Sequence, residues 1–155
     1  MKQIIWIYGT SAAGKETFIK SLISNADLRQ KVDIDEGFVI SDGSLINLGK
    51  LDGSRESIIE EVSTLIERNS TVVVKWQYGD TLLDSPNRLR IRLPTMTHRV
   101  INLNVGQNEQ IRRLKTKSWW RDSGSEGAFI SHELQLVYES LLKLEPDINV
   151  LQYDW

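Results

Sequence analysis

The stretch IIWIYGTSAAGKETF, residues 4–18, decides the fold. Ile4 to Tyr8 is an unbroken apolar run, which suits a strand buried on both faces of a parallel sheet. It stops at Gly9. From Lys15 to about Ser24 the apolar residues Phe18, Ile19, Leu22 and Ile23 share one face of a helix. Between strand and helix the chain reads Gly-x-x-x-x-Gly-Lys, and Thr10, Ser11, Ala12 and Ala13 in its middle are all small.

A phosphate chain carries several charges. A loop can hold it by turning successive backbone N–H groups inward, while the following helix adds the positive end of its dipole. Gly9 and Gly14 let main chain and ligand approach more closely than a Cβ would allow. Lys15, in the first turn of the helix, reaches for the outer phosphates. The bland alternative is a glycine-rich turn with a surface lysine, and the flanking strand and helix weigh against it. Gly9, Thr10, Ser11, Ala12, Ala13, Gly14 and Lys15, with Glu16 and Thr17 after them, are the candidate nucleotide-binding residues.

Outward from this loop, the runs V-D-I, F-V-I and L-I-N-L between Lys31 and Leu51 are separated by D-E-G and S-D-G-S. That pattern predicts a small antiparallel meander. Beyond Ser54, Ile58, Ile59, Val62, Leu65 and Ile66 have helical spacing that ends at Arg68-Asn69. T-V-V-V-K (71–75) and V-I-N-L-N-V (100–105) read as strands. A helix is expected from about Asn108 to Lys117, followed by the glycine- and serine-rich W-W-R-D-S-G-S-E-G. Ile130, Leu134, Val137, Leu141 and Leu144 predict an amphipathic helix stopped by Pro146, and Ile148–Leu151 a last short strand. Strands alternating with helices indicate an α/β domain with a mostly parallel central sheet. Strand order is not written in the sequence.

The bulk properties exclude several classes. At 155 residues one domain is expected, since domains commonly run to about 100–200. There is no cysteine, hence no disulfide, thiolate metal site or cysteine nucleophile. His98 and His132 are too few and too far apart to suggest zinc. The apolar run in MKQIIWIYG is too short for a secretory signal, and no stretch nears the ~18 apolar residues of a membrane span, so a soluble, cytoplasmic protein is expected. The net charge of −2 is unevenly spread. From Ser85 to Arg121, Arg88, Arg90, Arg92, Arg99, Arg112, Arg113, Lys115, Lys117 and Arg121 face the lone acid Glu109. Either this segment meets something anionic or it is a solvated basic face.

With its glycine loop the sequence resembles the P-loop NTPase superfamily. Its G-K-E-T is similar to the Gly-Lys-Gly-Thr of small kinases of the nucleoside monophosphate kinase type. The resemblance implies a three-layer P-loop fold, ATP and Mg2+ as cofactors, and an arginine-rich lid, here at about 107–128. It places Thr17 against an inner phosphate and Glu16 where a magnesium ligand usually stands. A carboxylate there is tolerable if Mg2+ lies between it and the phosphates. The alternative is an acid that merely complements the helix dipole. Switch GTPases carry D-x-x-G and N-K-x-D, both absent here. T-V-V-V-K does not end in the acid of a Walker B strand, which counts against the hydrolytic classes. L-G-K-L-D-G-S-R with the later Y-G-D faintly resembles small adenylate-kinase-like ATP-binding proteins, mostly phage-encoded.

Phosphoryl transfer rests on positioning and on neutralising charge at the transferring group. The resemblance implies lid roles for Arg112, Arg113, Lys115, Lys117 and Arg121, although neighbours such as Arg112 and Arg113 cannot share a helix face. Trp119 and Trp120 either stack on a ring or close the lid onto the core. Asp80, after the third strand, is the leading candidate for acceptor contact, ahead of Asp35. Asp33 and Asp35 resemble the D-x-D of shikimate kinase but flank a turn. Asp42, Asp52 and Arg55 read as turn or capping residues. The leading expectation is a kinase moving the γ-phosphoryl group of ATP to a small acceptor, plausibly a nucleotide or nucleoside. Its rivals are a 5′-kinase on nucleic acid ends and an ATP-binding module without chemistry.

Overall fold

A computed structural model describes residues 1–42, 56–76 and 84–155. Strand β1 is Gln3–Tyr8, followed by helices α1 (Lys15–Ser24) and α2 (Ala26–Val32) and strand β2 (Val39–Asp42). Helix α3 (Glu56–Arg68) and strand β3 (Thr71–Lys75) come next. Helix α4 (Ser85–Arg92), strand β4 (Thr97–Asn104), helix α5 (Gln107–Lys115), helix α6 (Glu126–Leu142) and strand β5 (Asn149–Asp154) complete the described order.

The five strands form one sheet in the order β2-β3-β1-β4-β5, and every pairing is parallel. Ile5 of β1 sits opposite Val73 of β3 and Arg99 of β4, so β1 is the central strand. A central strand in a parallel sheet is covered on both sides, which is why Ile4 to Tyr8 is apolar at every position and fully buried. Ile5 and Ile7 meet Phe18, Ile19 and Leu22 of α1 and Leu28 and Val32 of α2 on one side. Ile4, Trp6 and Tyr8 meet Ile58, Val62 and Ile66 of α3, Leu89 of α4 and Val137 of α6 on the other. The result is three layers, helix–sheet–helix.

Three expectations need correction. The segment from Lys31 to Leu51 is not an antiparallel meander in its described part: residues up to Val32 belong to α2, and Val39–Asp42 is a parallel edge strand paired with β3. The rest of that segment lies outside the described residues. Asn25 caps α2, its side chain accepting from the Leu28 N–H at 3.0 Å, which stabilises a helix of only seven residues. Ile23 does not join the buried face of α1; it is exposed, while Phe18, Ile19 and Leu22 point inward. On helix α6, Ile130 and Val137 of the expected apolar row are buried together with Glu126, Glu133 and Ser140, and Leu141 and Leu144 pack against the core, but Leu134 is exposed.

Candidate functional site

Because all strands run the same way, β1, β3, β4 and β5 deliver their following residues to one edge of the sheet, where ligands gather in open α/β folds. The loop Gly9–Gly14 leaves the central strand at this edge. It is closed by Ala13 N–H donating to the Thr10 carbonyl at 3.1 Å and Ala12 N–H to Thr10 Oγ1 at 3.3 Å. A Cβ at Gly9 would lie 2.7 Å from Ala13 Cβ, so the loop cannot curl this tightly around another residue. Gly14 has φ 83°, the left-handed region, and opens α1.

Lys15 is 8 % exposed, and its ammonium donates to the carbonyls of Gly9 and Thr10, both at 2.8 Å. It therefore arches back over the loop it follows. Burial lowers its pKa from 10.5 to about 7; Glu133 opposes that shift, while the nearby charges of Lys75 and Lys117 reinforce it. Lys75 ends β3, so at this edge the strand contributes a cation rather than an acid.

Two neighbours hold the loop. Gln110 of α5 is buried, accepts from the Thr10 hydroxyl, and donates to the Val105 carbonyl at 2.8 Å. Glu133 of α6 is 6 % exposed, and its Oε1 accepts from both the N–H and the hydroxyl of Ser11. The sequence reading missed both residues. An apolar-periodicity argument passes over buried polar side chains, although Glu133 shares the helix face of Ile130 and Val137.

The structure separates the paired arginines. Arg113 turns toward the loop and donates to the Ala13 carbonyl at 3.0 Å, while Glu109 braces it at 3.0 Å. Arg112 is exposed and is engaged by the same Glu109. Both guanidinium groups hydrogen-bond the Glu109 carboxylate and hold it down to about 2, so it stays ionised. Arg113 lines a cleft of about 330 Å³ together with Ala12, Gly14, Thr17, Thr116, Lys117 and Trp155. Trp155 lies against the loop and packs edge-on to Phe18, with ring centres 5.2 Å apart. Glu16 is 66 % exposed and paired with Lys20 at 3.4 Å.

Other candidates lie elsewhere. Lys115 is 4.0 Å from buried Glu126, and Arg121 is exposed. Trp119 and Trp120 both meet Phe129 with tilted rings; Trp120 packs against the small cluster of Ala12, Leu114 and Ile130, while Trp119 is 56 % exposed. The basic run does not form one face. Arg90 pairs with Asp147 and Arg92 with Glu60, while Arg99 donates to the Val32 and Asp33 carbonyls. Asp33 and Asp35 precede β2, at the end of the sheet opposite the loop, and Asp33 terminates α2 with φ 56°; they do not reach the site. Asp80, Asp52 and Arg55 lie outside the described residues, and of Asp42 only the main chain, ending β2, is described.

A larger cleft of about 890 Å³ opens on the other side of Gly9 and Thr10, against Asn102, Gln152, Asp154 and Tyr138. None of its described lining residues is a cation.

The central strand, glycine loop and helix in a parallel sheet of order 2-3-1-4-5 form a fold shared with solved kinase structures. The chain matches a shikimate kinase from Bacteroides thetaiotaomicron at TM-score 0.59 and 19 % identity, covering 97 % of this chain and 85 % of that one. It matches a shikimate kinase from Acinetobacter baumannii in complex with shikimate at TM-score 0.54 and 14 % identity, over 100 % and 85 % of the two chains. A gluconokinase from Sinorhizobium meliloti 1021 gives TM-score 0.54 at 11 % identity, over 99 % and 81 %. At these identities the likeness is one of fold. No family model and no curated protein matches the sequence. Among the described residues no helix is long and apolar enough to cross a membrane.

Proposed function

We propose that this chain is an ATP-dependent phosphotransferase with a small acceptor. The observation that carries the reading is a glycine loop at the end of the central strand with Lys15 arched over it, Lys75 and Lys117 near enough to act on that ammonium, and Arg113 bonded to the Ala13 carbonyl. The loop amides and the start of α1 would hold the phosphates, and Lys15 would leave its carbonyls for the outer ones. An acceptor oxygen would then bond to the γ-phosphorus as the bond to the bridging oxygen breaks, with ADP leaving and the acceptor's proton passing to a base or to solvent. Arg113 would neutralise the charge that develops. Asp80 remains the proposed acceptor contact, and Arg121 and Arg112 are outer parts of the lid over 107–128.

Magnesium in such a site would draw most of its oxygens from phosphate and water. The Thr17 hydroxyl, opening onto the Arg113 cleft, fits that need. Glu16, turned outward to Lys20, would act through water. When bound, the ion would offset the charge of the phosphates.

The structural relatives are kinases named for shikimate, gluconate and sugars, which supports a small hydroxyl-bearing acceptor; a nucleoside or nucleotide is the narrower version. The pairing of Arg90, Arg92 and Arg99 within the protein removes the main support for a nucleic-acid acceptor. Lys75 at the end of β3, where an acid is usual, favours the rival of an ATP-binding module without chemistry. The test is ADP release from protein, ATP and Mg2+ with a panel of hydroxy acids, sugars, nucleosides and nucleotides. Stimulation by one acceptor class establishes the kinase. Tight ATP binding with no stimulation by any establishes the module.

A further inference from the structure

Glu133 is a carboxylate in a place built for phosphate. Its Oε1 accepts from the Ser11 amide at 3.2 Å and from the Ser11 hydroxyl, within the glycine loop proposed to hold phosphate. It is buried, and of the charges acting on Lys15 it is the counter-charge, set against Lys75 and Lys117. Helix α6 buries Ile130 and Val137, and Glu133 lies on that same face, so the packing that seats the helix also carries this carboxylate to Ser11.

We infer that Glu133 is an internal stand-in for the terminal phosphate, which a nucleoside triphosphate must displace from the Ser11 amide and the Lys15 neighbourhood. The inference rests on the function proposed above, and it adds a selectivity. Lys15 serves the outer phosphates, so the carboxylate beside it opposes the γ-phosphoryl group. A diphosphate, one group shorter, would leave Glu133 in place. The residue therefore lowers affinity for ATP relative to ADP and keeps the empty loop ordered. On displacement its charge is repelled by the triphosphate and swings toward solvent.

The experiment compares the intact wild-type chain with Glu133→Gln, which keeps the size and the acceptor oxygen but removes the charge. Dissociation constants for ATP and ADP are measured by calorimetry with Mg2+, at about pH 6.5, below the point where Lys15 gives up its proton. The expected result is about tenfold tighter ATP binding in the variant, with ADP changed by less than about threefold. A purely structural role would weaken both nucleotides together. Unchanged or weakened ATP binding in the variant overturns the inference while leaving the kinase reading intact. Failure of wild type to bind either nucleotide overturns both. Should the variant not fold, the Ser11 amide resonance of wild type decides: it must shift with inorganic tripolyphosphate and stay in place with pyrophosphate, and equal shifts overturn the inference.

Discussion

The Lys15 ammonium makes a direct link between pH and nucleotide affinity. Burial lowers its pKa to about 7, with Lys75 and Lys117 adding to the shift and Glu133 opposing it. A triphosphate brings several negative charges to the same atoms and restores the charged form. Binding above pH 7 must therefore take up a proton. A group with pKa 7 is half charged at pH 7 and about one part in a hundred charged at pH 9, so affinity should fall roughly fiftyfold across that window, close to tenfold per unit at its upper end. The γ-phosphate of ATP is already ionised there, so its own titration does not intrude. Calorimetry in two buffers of different ionisation enthalpy, at about pH 8, should report uptake approaching one proton per ATP. The same shift acts on folding. The unfolded chain keeps the Lys15 proton up to about 10.5 while the folded chain releases it near 7, so this group's destabilisation is full below pH 7 and fades as pH rises between the two values. Flat ATP affinity from pH 7 to 9 with no proton uptake would refute the reasoning.

Further consequences are sharp enough to measure. Arg113→Ala should lower kcat by roughly a hundredfold, as loss of a group that neutralises developing charge does, while Arg112→Ala, exposed on the outer side of α5, should change it by less than about threefold. Equal effects in steady-state assays would show that the structure has distinguished the two wrongly. Gly14→Ala forces a left-handed φ on a residue with a Cβ and brings that carbon to 3.0 Å from Trp155 Nε1 and 3.1 Å from Arg113 Nη1. Denaturant unfolding should show a loss of about 1–2 kcal/mol, and ATP affinity should fall as well. Ile5→Ala, in the fully buried centre of the sheet, should cost about 2–5 kcal/mol in the same assay and leave the ATP dissociation constant of the folded fraction unaltered. Lys15→Ala should abolish ATP binding whichever functional reading holds.

How far the sequence could be read depended on where each element gets its stability. The run Ile4–Tyr8 and the glycine spacing after it are local facts: a strand covered on both faces must be apolar throughout, and a tight anion loop must be small. Both were legible. Helix α4 was not, because S-P-N-R-L-R-I-R buries only Leu89 among its large apolar side chains and ties its arginines to Asp147 and Glu60, partners far along the chain. Helix α2 could have been read from Asn25 as a cap with Leu28 and Val32 one turn apart, but the D-I-D-E-G turn signal beside it suggested a hairpin. Its Asp33 then served as the left-handed residue that ends a helix, a use of aspartate that competes with any ligand role.

The site itself splits along the same line. Its main chain was legible because loop and lysine are contiguous in sequence. Its electrostatics were not, since Lys15 comes from α1, Lys75 from β3, Lys117 from just beyond α5 and Glu133 from α6. No spacing rule relates these four positions; parallel topology alone brings them to one edge. Glu133 rides inward on the face that Ile130 and Val137 bury, so the packing that closes the core also carries a charge to the loop. The charges of this loop are therefore a property of the fold, and the acceptor side should follow the same rule: its residues will come from the ends of β2 and β3, which the same parallel sheet delivers beside the phosphate loop.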